Sequence, residues 1–233
     1  FPELLQAVAN IDGVKRIRYT SPHPQDMDED LLQVMKDNEN ICNYIHLPLQ
    51  AGSDRILKRM NRTYDQKGFL DLVDKIKYYL PQCSISTDII VGFPGETDAE
   101  FQETLNVMRQ VNFNHAFMFK YSSRPGTKAA EYSDQITEKT KQLRLEEVIS
   151  LQKKTTLNMN EKLINKTLPI LIEKVSKKSS SQWAGRTEGN AWVVFDKNNE
   201  KIKDIVDVEI VDAKGVTLFG NRVLNKDCAY EVN

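Results

Sequence analysis

Residues 84–111 read SISTDIIVGFPGETDAEFQETLNVMRQV and contain three structural signals in immediate succession. The β-branched run at residues 84–91 predicts a buried strand, and the glycines and proline of residues 92–96 predict a turn after it. Thr97 and Glu100 form a capping-box pattern, which predicts the start of a helix, and the apolar residues that follow recur at helical spacing. A strand followed closely by an amphipathic helix indicates a parallel α/β unit.

The same alternation extends in both directions from this unit. Further strands are predicted at residues 15–21, 44–49 and 116–122, and the apolar stripe of residues 65–80 predicts a second long helix. Repeated strand–helix units are joined by right-handed crossovers and form a parallel sheet with helices outside it. The amino-terminal part of the chain is therefore predicted to be α/β.

The pattern of apolar and polar residues changes after a long polar helical segment at residues 137–161. Beyond this helix, short β-rich runs are joined by Ser, Gly, Asn and Lys and show no helical periodicity. Several short strands with turn signals between them predict a small all-β barrel. The predicted strands comprise residues 168–175, 191–195, 205–211 and 216–220. We expect two domains, residues 1–163 and residues 164–233.

The composition excludes several classes of protein. The 32 Lys and Arg residues balance 33 Asp and Glu residues, and the resulting net charge of -1 gives no global attraction to nucleic acid. No stretch approaches the ~18 apolar residues that span a bilayer, and none is typical of a signal peptide. We expect a soluble, cytoplasmic protein with no membrane partner.

The chain contains three cysteines, Cys42, Cys83 and Cys228. Their separations are typical neither of a disulfide framework nor of a zinc site. We expect three ordinary reduced thiols that bind no metal. The first residue is Phe1 rather than methionine, so we expect the chain to be part of a longer protein.

Polar residues at the predicted strand ends are the first candidates for a binding site, because ligands of parallel α/β proteins bind where the following loops converge. Asp88 lies inside an apolar strand, where a carboxylate needs hydrogen bonds or a charged partner. Residues 92–96 and residues 50–53 are each interpreted either as a helix-capping turn or as a ligand loop. His23 is interpreted either as a loop histidine or as a base. Considered one at a time, these signals specify no function.

Three motifs in order are much more specific. They are HLPLQAGSDRILKRMNR at residues 46–62, TDIIVGFPGET at residues 87–97 and FKYSSRPGT at residues 119–127. Together they resemble the methylthiotransferase branch of the radical S-adenosylmethionine enzymes. The carboxyl-terminal segment, with KVSKK at residues 174–178 and GRTEGN at residues 185–190, resembles the RNA-binding TRAM domain. The resemblance covers essentially the whole chain.

This resemblance implies a partial TIM-type (β/α) barrel fragment followed by a small all-β TRAM barrel. Members of the branch add a methylthio group to an unactivated carbon by radical S-adenosylmethionine chemistry. The complete enzyme carries two 4Fe-4S clusters, one in a C-x-x-x-C-x-x-C loop and one in an amino-terminal domain, and needs an electron donor protein. No C-x-x-x-C-x-x-C sequence occurs in this chain, and a cluster needs thiolates that lie close together. We therefore expect a carboxyl-terminal fragment that binds no cluster and is inactive alone.

The family pattern also implies six residues that bind S-adenosylmethionine at three strand ends. They are Gln50, Ser53, Asp88, Gly92, Tyr121 and Arg124. The first pair is expected near the ribose or methionine part of the cofactor, and the second pair near the adenosine, where a glycine allows close backbone contact. The third pair follows the last strand, where a guanidinium can bind a carboxylate or phosphate through two hydrogen bonds. The resemblance assigns no catalytic residue and no metal ligand to this chain.

The expected macromolecular partner is tRNA, at its anticodon stem-loop. The TRAM-like segment offers a local basic stretch with an aromatic side chain that can stack on an unpaired base. The candidate RNA-binding residues are Lys174, Lys177, Lys178, Trp183 and Arg186. A solvated lysine turn beside a core tryptophan is the alternative interpretation.

The activity implied for the complete enzyme is methylthiolation of isopentenyladenosine next to the anticodon. SPHP at residues 21–24, the loop at residues 46–53 and the run at residues 185–195 favour this substrate. RMNR at residues 59–62 also suits relatives that act on threonylcarbamoyladenosine, and a third group modifies an aspartate of a ribosomal protein. The remaining alternatives are a non-catalytic tRNA-binding fragment and an ordinary TIM-barrel enzyme whose phosphate loop is residues 92–96.

Overall fold

The protein divides into two compact units, Phe1–Thr155 and Thr156–Asn233. The structure is a computed structural model that describes residues 1–20 and 24–223. The predicted strand at residues 15–21, the SPHP segment, His23 and Cys228 therefore lie partly or wholly outside the described residues.

The first unit contains a three-stranded parallel sheet in the order β1-β2-β3. Its strands are β1 (Tyr44–His46), β2 (Ser84–Val91) and β3 (His115–Lys120). Its α-helices are α1 (Pro2–Ala9), α2 (Glu29–Asp37), α3 (Asp54–Arg59), α4 (Gln66–Tyr79), α5 (Asp98–Val111) and α6 (Lys128–Glu131), with a short 3-10 helix at Pro24–Asp26. A last helix, α7 (Glu138–Glu161), begins in this unit and ends beyond its boundary at Thr155. The predicted strand–helix alternation around β2 is confirmed.

The predicted strand at residues 15–21 is wrong. Among the described residues of this segment, Ile17 alone forms a bridge, to Ile41, while the neighbouring residues pair with no strand. The physical reason is the lack of an extended partner, because the first ordered strand on that side begins only at Tyr44. Ile17 and Tyr19 still pack their side chains against the core. The alternating pattern therefore reflects burial of these side chains and not backbone pairing in a sheet.

The core of the first unit lies between one face of the sheet and the helices outside it. Strand β2 buries Ile85, Ile89 and Val91 toward the helices, as its alternation requires. Helix α5 contributes the predicted stripe of Phe101, Leu105 and Met108, and the predicted capping box between Thr97 and Glu100 is present. This packing leaves the other face of the sheet and the strand ends available for a site.

The carboxylate of Glu100 joins the start of α5 to α3. It accepts two hydrogen bonds of 2.6 Å from Arg55 and one of 2.8 Å from the Thr97 backbone N–H. The hydrogen bonds from Arg55 lower the pKa of Glu100 from 4.5 to about 2, and burial opposes this change. Because the folded-state pKa is the lower one, the stabilisation is complete above the ordinary pKa and is lost as the pH falls from there.

We therefore expect the free energy of unfolding to decrease by about 1–2 kcal/mol between pH 5 and pH 2 through Glu100 alone, a value reduced for the half-exposed Arg55. Urea unfolding at a series of pH values measures this contribution as the part of the pH dependence that is absent in Glu100→Gln. Glu147→Gln, an exposed carboxylate on α7, is the matched control. Equal pH profiles for wild type and Glu100→Gln would contradict the assignment.

The second unit is a closed β-barrel with the strand order β4-β5-β6-β8-β7 in its described residues. The strands are β4 (Thr167–Val175), β5 (Gln182–Arg186), β6 (Trp192–Asp196), β7 (Ile205–Lys214) and β8 (Thr217–Arg222). The barrel closes through antiparallel pairing of β4 with β7. Its interior is filled by a compact apolar cluster, of which Ile170, Val193, Phe195, Val208 and Leu218 are members. The predicted small all-β barrel is confirmed.

Strand β5 was not predicted from the sequence, because QWAGR at residues 182–186 contains no β-branched residue and ends in a glycine and an arginine. Pairing on both sides makes it a strand: Trp183 lies opposite Phe195 on β6 and opposite Val175 on β4. A Cβ atom at Gly185 would lie 2.3 Å from the Leu171 carbonyl oxygen. The strand is thus defined by close approach to its neighbour rather than by its own propensity.

Candidate functional site

A cavity of about 970 Å³ lies at the carboxyl ends of β1, β2 and β3 in the first unit. Loops that follow all three strands contribute to its wall, as the parallel topology predicts. Four of the six predicted cofactor-binding residues line it: Gln50, Asp88, Tyr121 and Arg124. The sheet therefore brings together side chains that are separated by up to 74 positions, the difference between 124 and 50.

Gln50 and Asp88 meet where the loop after β1 rejoins β2. The Gln50 N–H donates to the Asp88 carbonyl at 2.8 Å, and the Ile90 N–H donates to the Gln50 carbonyl at 2.9 Å. Gln50 is buried and has a φ of 67°, in the left-handed region. A non-glycine residue in this region stores about 1 kcal/mol or more of strain, which often accompanies binding sites.

The Asp88 carboxylate has one neighbour within the sheet that orients it. His46 Nε2 lies 3.3 Å from Asp88 Oδ2, and His46 Nδ1 lies 2.8 Å from the Ser86 hydroxyl. Tyr44 shares that hydroxyl at 2.7 Å. The row of alternate residues on the inward face of β1 and β2 thus fixes the carboxylate at the edge of the cavity.

Tyr121 forms the apolar part of the cavity together with Phe93. The two rings meet edge to face with centroids 5.0 Å apart, and the Lys141 ammonium lies 5.4 Å from the Tyr121 ring centroid. The Tyr121 hydroxyl is shielded from solvent and has no hydrogen-bond partner among the described residues. A buried hydroxyl without a partner loses about 1–3 kcal/mol, so this atom is a candidate for contact with a bound group.

The cavity has the size and lining that a nucleoside-containing cofactor needs. Sites for such ligands commonly enclose about 300–1,000 Å³ and combine apolar walls with a few polar groups. Ile90, Phe93 and Phe119 supply apolar surface, while Gln50 and Asp88 supply hydrogen-bonding groups. The lining residues therefore fit S-adenosylmethionine.

Ser53 and Gly92, the other two predicted cofactor contacts, are not among the residues that line the cavity. Ser53 is buried, and its hydroxyl donates to Glu100 at 3.2 Å. Gly92 has a φ of 70°, and a Cβ atom there would lie 2.4 Å from Lys141 Cγ. In this structure both residues shape the loops that border the cavity.

An ion pair that the sequence analysis did not identify holds the loop after β2. Glu96 is 2% exposed and accepts a hydrogen bond of 2.7 Å from the Gly92 N–H. Arg144 on α7 donates to the Glu96 carboxylate at 2.8 Å and to its carbonyl at 3.1 Å, while its other terminal nitrogen donates to Asp98 at 2.6 Å. Burial raises the pKa of Glu96, and the Gly92 N–H and Arg144 counter this rise.

The structure describes two of the three cysteines, Cys42 and Cys83. Cys42 is buried, and burial raises the pKa of the half-buried Cys83 to about 12. Within residues 1–20 and 24–223, no three His, Cys, Asp or Glu side chains are grouped so that they could hold a metal ion. Cys228 lies outside the described residues.

The predicted RNA-binding residues lie on or beside the barrel strands β4 and β5. Lys177 and Lys178 are exposed in the connection between these strands, and Lys174 is exposed on β4. Trp183 is half-buried, with the Lys197 ammonium 4.3 Å from its ring centroid. Arg186 donates two hydrogen bonds, of 2.7 and 2.8 Å, to Glu173.

Trp192 is an aromatic side chain on this surface that the sequence analysis did not select. The Lys174 ammonium lies 4.2 Å and the Arg186 guanidinium carbon 4.9 Å from the Trp192 ring centroid. Aromatic rings beside cations are typical of surfaces that bind unpaired bases. The clue in the sequence was the alternation of basic and aromatic residues between β4 and β6.

Comparison with family profiles assigns a domain to each unit. Residues 1–108 match the Radical SAM superfamily, and residues 161–223 match the TRAM domain. These matches confirm the predicted resemblance to the radical S-adenosylmethionine enzymes and to the TRAM domain, and they support the predicted fold in part.

Among the described residues, no helix is both long enough and apolar enough to span a membrane.

Curated relatives are similar to almost the whole chain. Proteins named tRNA-2-methylthio-N(6)-dimethylallyladenosine synthase match from Porphyromonas gingivalis (46% identity, 96% of this chain, 48% of the relative), Parabacteroides distasonis (47%, 96%, 49%) and Methylacidiphilum infernorum (42%, 97%, 48%). The chain thus spans about half the length of the curated relatives it matches. Coproporphyrinogen III oxidase (HemN) from Escherichia coli aligns at a TM-score of 0.49 with 15% identity, over 73% of this chain and 49% of that one.

Proposed function

We propose that this chain, which combines a Radical SAM region with a TRAM domain, is part of a tRNA methylthiotransferase. The complete protein would methylthiolate dimethylallyladenosine, which is isopentenyladenosine, next to the tRNA anticodon. One observation carries this proposal: relatives of that name are 42–47% identical over at least 96% of the chain. The cavity at the strand ends supports it, because half of its lining residues belong to the Radical SAM match and its volume suits a nucleoside-containing cofactor.

The same proposal includes the wider architecture. The three parallel strands are one portion of a partial TIM-type barrel, and the domain boundary falls near residue 163. The complete protein would hold two 4Fe-4S clusters and would need an electron donor protein. The protein acts in the cytoplasm, where its tRNA substrate is found.

S-adenosylmethionine would supply the radical chemistry of the reaction when bound in the complete protein. The residues of this chain would bind and orient it. Asp88, fixed by His46, would accept hydrogen bonds from a hydroxyl or amine, and the Tyr121 hydroxyl would gain the partner that it lacks among the described residues. Phe93 and Phe119 would exclude water, and Ser53 and Gly92 would hold the bordering loops in place.

The barrel would hold the RNA. Lys174, Lys177 and Lys178 supply positive charge, and Trp183 and Trp192 supply rings for stacking. Arg186 is bound to Glu173 and lies beside Trp192, so its part in binding would be to position that ring. The surface is local, as a chain of net charge -1 requires.

The complete protein, reconstituted with iron, sulfide and a reductant and supplied with S-adenosylmethionine, tests the proposal. We expect it to convert isopentenyladenosine in tRNA to the methylthio derivative, detected by mass spectrometry of digested nucleosides. Asp88→Asn should weaken S-adenosylmethionine binding about tenfold or more, because a hydrogen bond to a charged group contributes about 1.5–3 kcal/mol.

Asp98→Asn is the matched control, since Asp98 is 94% exposed and does not line the cavity. Modification of threonylcarbamoyladenosine instead of isopentenyladenosine would overturn the proposed substrate. Equal cofactor affinity for Asp88→Asn and Asp98→Asn would overturn the proposed cofactor site.

A further inference from the structure

The cavity at the strand ends is strongly cationic. Six of its lining side chains are positively charged, and Asp88 is the single carboxylate among them. The six are Lys58, Arg59, Arg62, Lys120, Arg124 and Lys128. This excess contrasts with the net charge of -1 for the whole chain, so the positive charge is concentrated at this place.

Two of the six cations have carboxylate partners. Arg59 donates to Asp134 at 2.8 Å, and the Lys120 ammonium lies 3.3 Å from Glu138. The other four, Lys58, Arg62, Arg124 and Lys128, form no ion pair with any residue of the described ranges, and are called the cavity cations below. Arg62 carries a further sign of an absent partner, because its Nε atom is shielded from solvent and unbonded among described residues.

The cavity cations come from two separate segments that converge on one opening. Lys58 and Arg62 belong to α3 and the turn after it, whereas Arg124 and Lys128 belong to the loop after β3 and the start of α6. Positive charges of the same sign repel one another in a concave site, where the surrounding protein focuses their potential. Such an arrangement favours the entry of an anion.

The proposed cofactor does not supply enough negative charge to match these four cations. S-adenosylmethionine has one carboxylate, and its ammonium and sulfonium groups are positive. One carboxylate can engage one guanidinium through two hydrogen bonds, which leaves the remaining cations without a counter-charge. A ligand with several regularly spaced negative charges fits the site better.

We infer that the cavity cations bind the phosphodiester backbone of RNA at the mouth of the cavity, in addition to any RNA contact of the barrel. This inference rests on the proposed function, because the RNA is the substrate whose base must enter the same cavity. Phosphates held on both sides of the opening would direct one nucleotide inward. The apolar Phe93 and Phe119 would then face that nucleotide together with the cofactor.

Salt dependence distinguishes phosphate contacts from other kinds of contact. Binding of a single-stranded segment weakens with salt with a slope of about 0.7 per neutralised phosphate on a log–log plot. The 233-residue chain is titrated against a fluorescently labelled anticodon stem-loop RNA at several KCl concentrations. We expect Lys58→Gln/Arg62→Gln to reduce the slope by about 1.4 and to weaken binding about tenfold near 0.1 M salt.

A matched control removes the same charge elsewhere. Lys36→Gln/Lys67→Gln changes two exposed lysines on α2 and α4 that do not line the cavity, and its slope should equal that of wild type. Arg124→Gln/Lys128→Gln is a second test on an exposed segment, where loss of folding is not expected. Thermal melts establish that each variant is folded.

The outcomes separate the inference from the proposed function. Reduced slopes for both cavity variants, with an unchanged control, support the inference. Unchanged slopes together with weaker binding by Lys177→Glu/Lys178→Glu would overturn it and leave tRNA binding by the barrel intact. Unchanged slopes for both cavity variants, together with weaker S-adenosylmethionine binding when the same substitutions are made in the complete protein, would overturn the inference. That result would indicate that the cavity cations bind the cofactor instead. Absence of RNA binding by the wild-type chain at low salt would overturn both the inference and the proposed RNA-binding role.

Discussion

Glu96→Ala is expected to lower the free energy of unfolding by about 3 kcal/mol, since it removes the buried carboxylate partner of Arg144 and leaves the guanidinium with the solvent-exposed Asp98 as its counter-charge. Arg144 is 7% exposed at its side chain and would keep three contacts among the described residues, with Asp98, the residue-96 carbonyl and the Phe101 ring. The Gly92 N–H would also lose its acceptor. Urea unfolding of the chain, followed by circular dichroism, measures the change.

The same guanidinium provides the control for this experiment. Asp98 is the other carboxylate on Arg144, but it is 94% exposed, and exposed ion pairs contribute about 0–1 kcal/mol. Asp98→Ala should therefore cost less than about 1 kcal/mol. Equal costs for the two variants would show that the buried carboxylate does not hold the loop after β2.

Gly52→Ala is expected to destabilise the chain by about 3 kcal/mol through overpacking. A Cβ atom at this position would lie 2.5 Å from Thr104 Cα and 2.6 Å from Thr104 N. These are backbone atoms of α5, so no side-chain rotation relieves the overlap. The Gly52 N–H also donates to the Thr104 hydroxyl at 2.8 Å, which ties the loop after β1 to that helix.

Gly68→Ala is the matched substitution at a tolerant position. Its Cβ atom would meet only Asp65 Oδ1, at 3.1 Å, and alanine has the higher helix propensity in α4, by about 1 kcal/mol. We expect a change of less than about 1 kcal/mol in either direction. If Gly52→Ala unfolded at the same urea concentration as Gly68→Ala, the close approach of the loop to α5 would be refuted.

Short-range patterns predicted most of the secondary structure. The strand at residues 84–91 and the helix that follows it were confirmed, because alternation and a capping box are local properties of the chain. The strand at residues 15–21 was wrong and β5 was missed, because each depends on whether a partner strand lies alongside. Backbone pairing between strands depends on two segments of the chain, so the sequence of either segment alone does not predict it.

The candidate site shows the same division. Gln50, Asp88, Tyr121 and Arg124 were predicted from motifs at strand ends, and all four line one cavity. The motif at residues 92–96 also contains Glu96, but its partner Arg144 is 48 residues away on a polar helix. No periodicity or spacing in the sequence joins those two residues.

The sequence by itself determined the α/β and all-β regions, the strand-end motifs and the family resemblance, since these are carried by neighbouring residues and by motif order. The tertiary structure alone decided which charges share a site. Lys58 and Arg62 come to lie around the same cavity as Arg124 and Lys128 because parallel strands bring their following loops to one edge of the sheet. The balanced composition conceals that concentration of positive charge, which exists only after the chain has folded.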